Sequence, residues 1–177
     1  PETVRLLDNR GDLFAEFATA EARSARPIPL GRMGPWLPAV TVAIEDHRFR
    51  AHGGFDWRAT GSALLRNLRA GRVVAGGSTI TQQLVKVARG RTARAWLPKL
   101  REAFAAAELE RRWPKDRILA EYLNRIDYGN RLLGPEAAAR AYFDKAAADL
   151  TLSEAIYLAG LPQAPARHNP WRDPAAA

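Results

Sequence analysis

The chain has 177 residues, a formal net charge of +8, 47% hydrophobic and 26% charged residues, and no cysteine. That length allows one domain with a core of its own, or one split into two lobes, and the excess of base points to an anionic partner. The lack of cysteine excludes a disulfide framework, a thiol nucleophile and a thiolate metal site, and no run reaches the roughly 18 apolar residues that a membrane span needs. The abrupt start at Pro1, in strand-like sequence, and the Ala-rich end suggest a domain whose anchor lies elsewhere in a longer protein.

Residues 3–7 and 13–17 are short apolar runs around a polar DNRGD segment, which predicts a β-hairpin. A polar, Pro-containing linker follows, so residues 1–35 are expected to be a hairpin and linker and residues 36–177 the main, helical domain. A short apolar helix is predicted over 38–46, and Asp56 should cap a helix that Gly71 ends near Ala70; Trp57, Ala63, Leu64, Leu65 and Leu68 on it could meet a headgroup layer, with Leu64 and Leu68 expected rather in the core of their own lobe. The next helix is expected over 78–89 with Ser78 as its N-cap. A long helix is expected over about 92–112, with Leu97, Leu100, Phe104 and Ala107 on its core face and a kink at Pro98. Pro114 and Pro135 open helices that run to Asn124 and Phe143. Thr151 and Glu154 form a capping box for a last helix to Leu161, and prolines from Pro162 onward end regular structure.

The most informative block is GGSTITQQLVK at 76–86. Thr79, Gln82, Gln83 and Lys86 share one helix face, while Ile80, Leu84 and Val87 share the other. A helix N-terminus bearing hydroxyls, amides and a cation suits an anionic, hydroxyl-rich ligand such as a phosphate-linked sugar. An amphipathic helix with a solvated polar face would show the same stripe. Charge favours the ligand: between Asp56 and Glu102 there are ten Lys or Arg residues, Arg94 and Lys99 among them, and no acidic one. Glu45 and Asp46 lie where the apolar run 39–44 gives way to a Gly-rich loop, and partial desolvation of such a carboxylate favours proton acceptance. His47 and His52 could suggest a metal, but a histidine pair without further ligands is more often structural. Glu102 shares a helix face with Lys99 and is expected to point away from the core among cations; a surface ion pair would look the same.

Together these blocks resemble one family. EDHRFRAHG at 45–53, GGSTITQQ at 76–83, KLRE at 99–102, ILAEYLN at 118–124 with Gly129, and AAARAYFDK at 137–145 with LSEA at 152–155 and PQAP at 162–165 are similar, in order, to the five motifs of the peptidoglycan glycosyltransferases, glycosyltransferase family fifty-one. That family includes class A penicillin-binding proteins, which this chain resembles most, and monofunctional transglycosylases.

The resemblance implies a mainly α, lysozyme-like two-lobe helical fold with a small N-terminal β-hairpin, working at the extracytoplasmic face of the bacterial inner membrane. It implies polymerisation of lipid II into β-1,4-linked glycan, with inversion and release of undecaprenyl diphosphate. Glu45 would be the general base and Glu102 the second essential carboxylate. Asp46, Phe49, Ser78, Thr79, Gln82, Gln83, Lys86, Arg94, Lys99 and Asn124 would contact substrate. A divalent cation, magnesium or manganese, is the one cofactor the resemblance allows, with Glu102 as its candidate ligand. The implied partners are lipid II, the growing glycan and an anionic membrane surface, with a transpeptidase domain as a candidate outside these residues, since none of the four serines here begins a Ser-x-x-Lys motif. Pro98, Val87 and Pro135 depart from the residues usual in the family and bear on diphosphate binding. A lysozyme-like hydrolase would need no cationic helix, and a nucleic-acid binder would interleave aromatics with its bases, whereas residues 58–95 contain none.

Overall fold

The computed structural model describes residues 3–7, 13–18, 24–72, 76–89 and 96–163. They are mainly helical, as expected, and form two compact units: Pro1–Leu37 with Leu123–Ala177, and Pro38–Tyr122. Among the described residues no helix is long and apolar enough to cross a membrane.

In the first unit β1 (Thr3–Leu7) pairs antiparallel with β2 (Leu13–Ala18), Val4 opposite Phe17 and Arg5 opposite Glu16. The turn expected at 8–12 lies outside the described residues, as do the prolines from Pro165 onward. β3 (Ser24–Ala25) pairs in parallel with β4 (Leu132–Leu133). The Asn124 side chain accepts from Ile28 N at 3.1 Å and donates to Ile28 O at 2.9 Å, so it pins this segment like one more rung of sheet. Gly34 has φ +68°, and a Cβ there would lie 2.8 Å from Ala148 O, so only glycine fits.

The helix expected from Pro135 is α6 (Pro135–Phe143), whose small Ala137, Ala138 and Ala139 are buried. The last helix, α7 (Leu152–Gly160), starts in the anticipated capping box. Thr151 Oγ1 accepts from Glu154 N, and the Glu154 carboxylate accepts from Thr151 N at 2.8 Å. Lys145 Nζ lies 2.8 Å from the same carboxylate.

The second unit holds most of α1 (Trp36–Glu45), then α2 (Trp57–Ala70), α3 (Ile80–Arg89), α4 (Trp96–Arg112) and the first two turns of α5 (Lys115–Arg125). Phe49, Ile80, Leu84, Ala106, Ile118, Leu119 and Tyr122 make its core. α2 begins and ends as predicted. Asp56 accepts from Arg58 N at 2.9 Å and Ala59 N at 3.0 Å, and Gly71 closes the helix at φ +62°. The bond from Ala59 N leads the effects that hold the Asp56 carboxyl below the usual range, helped by Arg48 at 3.1 Å and opposed by burial.

Of the helix expected over about 92–112, α4 runs from Trp96 to Arg112 without a break at Pro98, and residues 92–95 lie outside the described residues. Two expectations fail here. The first concerns the core face of α4: Phe104 is 77% exposed, while Glu102, Ala106 and the Glu110 side chain, spaced i, i+4, i+8, turn inward, and the side chains of Leu97 and Leu100 lie outside the described residues. The inward carboxylate Glu110 takes a hydrogen bond from Thr81 of α3 and an ion pair from Lys115 of α5 at 2.7 Å, which meets the cost of burying it. Leu64 and Leu68, expected to favour the core of their own lobe, are 60% and 70% exposed, and Ala63 is the buried residue of α2.

Candidate active site

Glu45 is the last residue of α1, so its carboxylate stands where the helix opens into the loop before α2. Its Oε2 accepts a hydrogen bond of 2.8 Å from Gln83 Nε2 on α3. Gln83 Oε1 in turn accepts from the Tyr122 hydroxyl of α5 at 3.0 Å. Tyr122 is buried, and burial, then the Glu45 charge, pushes its ionisation far above the ordinary phenol range, so it remains a donor at any working pH.

Asp46, one residue on, is buried and faces the other way. Its Oδ2 accepts from Ile80 N at 3.0 Å and its two oxygens lie 2.9 and 3.1 Å from His52 Nε2. Gly54 N donates to His52 Nδ1 at 3.2 Å, so Nε2 carries the ring proton and points it at Asp46. The N-cap of α3 is Thr79, not Ser78. Thr79 Oγ1 accepts from Gln82 N at 3.1 Å, Gln82 Oε1 accepts from Thr79 N at 2.9 Å, and the Thr79 hydroxyl donates to Gly54 O at 2.7 Å. This Thr-x-x-Gln capping box, with Asp46 added, occupies the amides of Thr79, Ile80 and Gln82. The expected set of free N–H groups at this helix end is therefore largely taken, and an anion here must rely on side chains.

Those side chains line a cleft of about 480 Å³ between the loop after Glu45, the stripe Arg58, Ser62, Arg66 of α2, and the strand-like approach Gly76–Thr79. Arg58 and Arg66 are exposed and make no side-chain ion pair among the described residues. Gly77 sits against α2 so closely that a Cβ would lie 2.9 Å from Thr60 Cα, which holds this approach against the helix. Ser78 and Glu45 both open on the cleft.

Of the remaining expected site residues, Lys86 is exposed on α3, and Glu102 is buried on α4 rather than pointing away from the core. Phe49 is fully buried, its ring 4.4 Å from Lys115 Nζ, so it serves as core. Gln82 is 1% exposed and its Nε2 has no hydrogen-bond partner among the described residues. Asn124 belongs to the first unit, holding Ile28. Lys99 is placed by backbone alone, and Arg94 lies outside the described residues. Sequence reasoning did not single out Tyr122, Arg58, Ser62 or Arg66 for the site. The i, i+4, i+8 spacing on α2 was the available signal for the last three. Among the described residues there is no group of three or more histidine, aspartate or glutamate side chains that could hold a metal ion.

A family described as transglycosylase matches residues 10–177. The chain is 39% identical over 163 residues to a biosynthetic peptidoglycan transglycosylase of Aromatoleum aromaticum, covering 88% of this chain and 71% of that protein. It is 47% identical over 177 residues to penicillin-binding protein 1A of Aquifex aeolicus and 40% identical over 171 residues to penicillin-binding protein 2D of Bacillus subtilis, covering 98% and 97% of this chain. It spans 24% of the length of each of these two longer relatives.

Proposed function

The chain belongs to the transglycosylase family, and from that premise we propose that it is a peptidoglycan glycosyltransferase that polymerises lipid II with Glu45 as general base. The carrying observation is the Glu45 carboxylate, held at 2.8 Å by Gln83 on the edge of a cleft whose α2 wall bears the exposed guanidinium groups of Arg58 and Arg66. Glu45 takes the proton of the acceptor sugar 4-hydroxyl. The hydroxyl oxygen forms a bond to the donor anomeric carbon on the face opposite the diphosphate, that carbon's bond to the diphosphate oxygen breaks, and the configuration inverts. The diphosphate leaves with the bonding pair, and cations rather than helix amides meet its growing charge. Glu102 serves as the second carboxylate. Ser78, Lys86 and the spare Gln82 amide, with Arg94 and Lys99, complete the donor contacts.

The same reading puts the protein at the extracytoplasmic face of the inner membrane, beside its lipid-linked substrate and a growing glycan, with a transpeptidase as a further partner. Supporting it, α2 exposes Trp57, Leu64, Leu65 and Leu68 next to its arginines, the composition of an interfacial helix. The test is polymerisation of labelled lipid II, resolved by product length, with the full-length protein and its Glu45→Gln variant. Loss of the base should cut turnover by about 10²–10⁴-fold with the fold intact. A folded Glu45→Gln protein with near-normal turnover removes Glu45 from this role, and shortened glycan in place of extended glycan would make the protein a hydrolase.

A further inference from the structure

Building on the reading of Glu45 as base, we propose that Gln83 and Tyr122 are positioning residues: a hydroxyl–amide relay that fixes the Glu45 carboxylate in place and presents it with an N–H donor. The two bonds, 3.0 Å from the Tyr122 hydroxyl to Gln83 Oε1 and 2.8 Å from Gln83 Nε2 to Glu45 Oε2, run in one direction. A primary amide has one donor end and one acceptor end, so what sits behind it decides which end meets Glu45. Tyr122 donates, and its proton is secure, because burial and the nearby negative charge both disfavour the phenolate. The amide oxygen is thus held toward the tyrosine and its N–H₂ toward the carboxylate. The reverse orientation would set the amide oxygen against a carboxylate oxygen, two acceptors without a proton between them.

The relay joins three helices at one point: Glu45 at the end of α1, Gln83 on the second turn of α3 and Tyr122 on α5. Tyr122 is 3% exposed, so its ring cannot swing away without opening the core, and Ile80 and Leu84 lock the part of α3 from which Gln83 projects. This geometry gives Gln83 a task other than the substrate contact that its motif suggests. It also gives a purpose to a buried hydroxyl that core packing alone would not require, since phenylalanine fills the same volume.

Tyr122→Phe leaves the ring and removes the directing proton. The amide is then able to turn, and a carboxylate with one donor fewer holds a proton more readily. Lipid II kinetics with the full-length protein should show kcat reduced about tenfold at neutral pH, KM unchanged, and the acid limb of the kcat profile moved up by about one pH unit. Gln83→Met, which keeps side-chain length and removes both bonds, should give the same limb shift. In that background Tyr122→Phe should have no further effect, because the two residues act through one bond chain. Melting temperatures check that each variant is folded, and if Tyr122→Phe does not fold, the limb shift of Gln83→Met decides alone. Unchanged kcat and pH profile in folded Tyr122→Phe, or additive losses in the double variant, overturn the relay. If Glu45→Gln is itself active, the base assignment has failed, whatever Tyr122 does; an inactive Glu45→Gln beside a wild-type Tyr122→Phe sinks the relay alone.

Discussion

Asp46 Oδ2 accepts the backbone N–H of Ile80 at 3.0 Å, so the residue directly after the candidate base caps the helix that carries Gln83. The Glu-Asp pair thereby divides two tasks between adjacent carboxylates. One faces the cleft; the other, buried, ties the end of α1 to the start of α3 and orients His52.

Asp46→Ala should therefore act on the scaffold of the site. It strands the Ile80 amide and the His52 ring proton in a buried place, each charge-assisted bond being worth about 1.5–3 kcal/mol. A loss of about 3 kcal/mol should lower the melting temperature by roughly 6–12 °C for a chain of this size. Asp46→Asn keeps an acceptor for Ile80 N and should lose less than half of that. Catalysis should fall in kcat rather than KM, because the Glu45–Gln83 alignment depends on the same helix end. A folded Asp46→Ala protein with unchanged melting temperature and raised KM would instead make Asp46 a substrate contact.

Much of the scaffold was legible because local rules agree with the fold. Asp56 and Gly71 bound α2, and Thr151 with Glu154 opens α7, each through the side-chain or backbone chemistry its residue type carries. The site was less legible where burial and hydropathy part. On α4, ranking faces by apolar content selected Phe104, yet the buried face carries Glu102 and Glu110, because partners from other helices satisfy Glu110 and no local pattern encodes them. On α2 the same rule sent Leu64 and Leu68 inward, although both are largely exposed among the described residues. Ser78 and Thr79 are equivalent as capping types; Gln82, three residues after Thr79, and Asp46 from a distant segment decide between them.

Away from the site, Glu154 offers a pH test of the α7 cap. Lys145, then the Thr151 backbone bond, brings its carboxyl down from 4.5 to about 2. Because the folded value is depressed, the stabilisation is fully present above pH 4.5, the unfolded value, and disappears as pH falls toward about 2. Glu154→Gln should be less stable than the parent at pH 7, with the gap closing across that window. Urea unfolding of both proteins along a pH series measures it, and a gap independent of pH would show that the cap works without its charge.

Arg58 and Arg66 should matter for substrate and not for stability. Both are exposed, line the cleft beside Ser62 and make no side-chain ion pair among the described residues. Exposed side chains of this kind change stability by about 0.5 kcal/mol or less on truncation. Contact with a diphosphate would be charge-assisted, so each Arg→Ala change should raise KM for lipid II by about tenfold or more, with the melting temperature held. Steady-state kinetics at two ionic strengths gives the answer: unchanged KM at both would mean that the two guanidinium groups are only solvated.

The exposed face of α2 carries the last expectation. Trp57, Leu64, Leu65 and Leu68 stand out from the same helix as Arg58, Arg66 and Arg69. An anionic leaflet attracts each such cation by about 1 kcal/mol, over a distance that salt shortens. The leucines add an apolar part that salt does not screen. Co-sedimentation of this domain with phosphatidylglycerol vesicles should therefore show strong binding at low salt, most of it lost as salt rises, and a salt-resistant remainder. Leu64→Ser with Leu68→Ser should remove the remainder and leave the melting temperature unchanged, since both side chains already lie outside the core. A lowered melting temperature would show that these leucines pack within the protein, and no binding of the parent even at low salt would leave a separate anchor as the sole means of bringing the site to its lipid substrate.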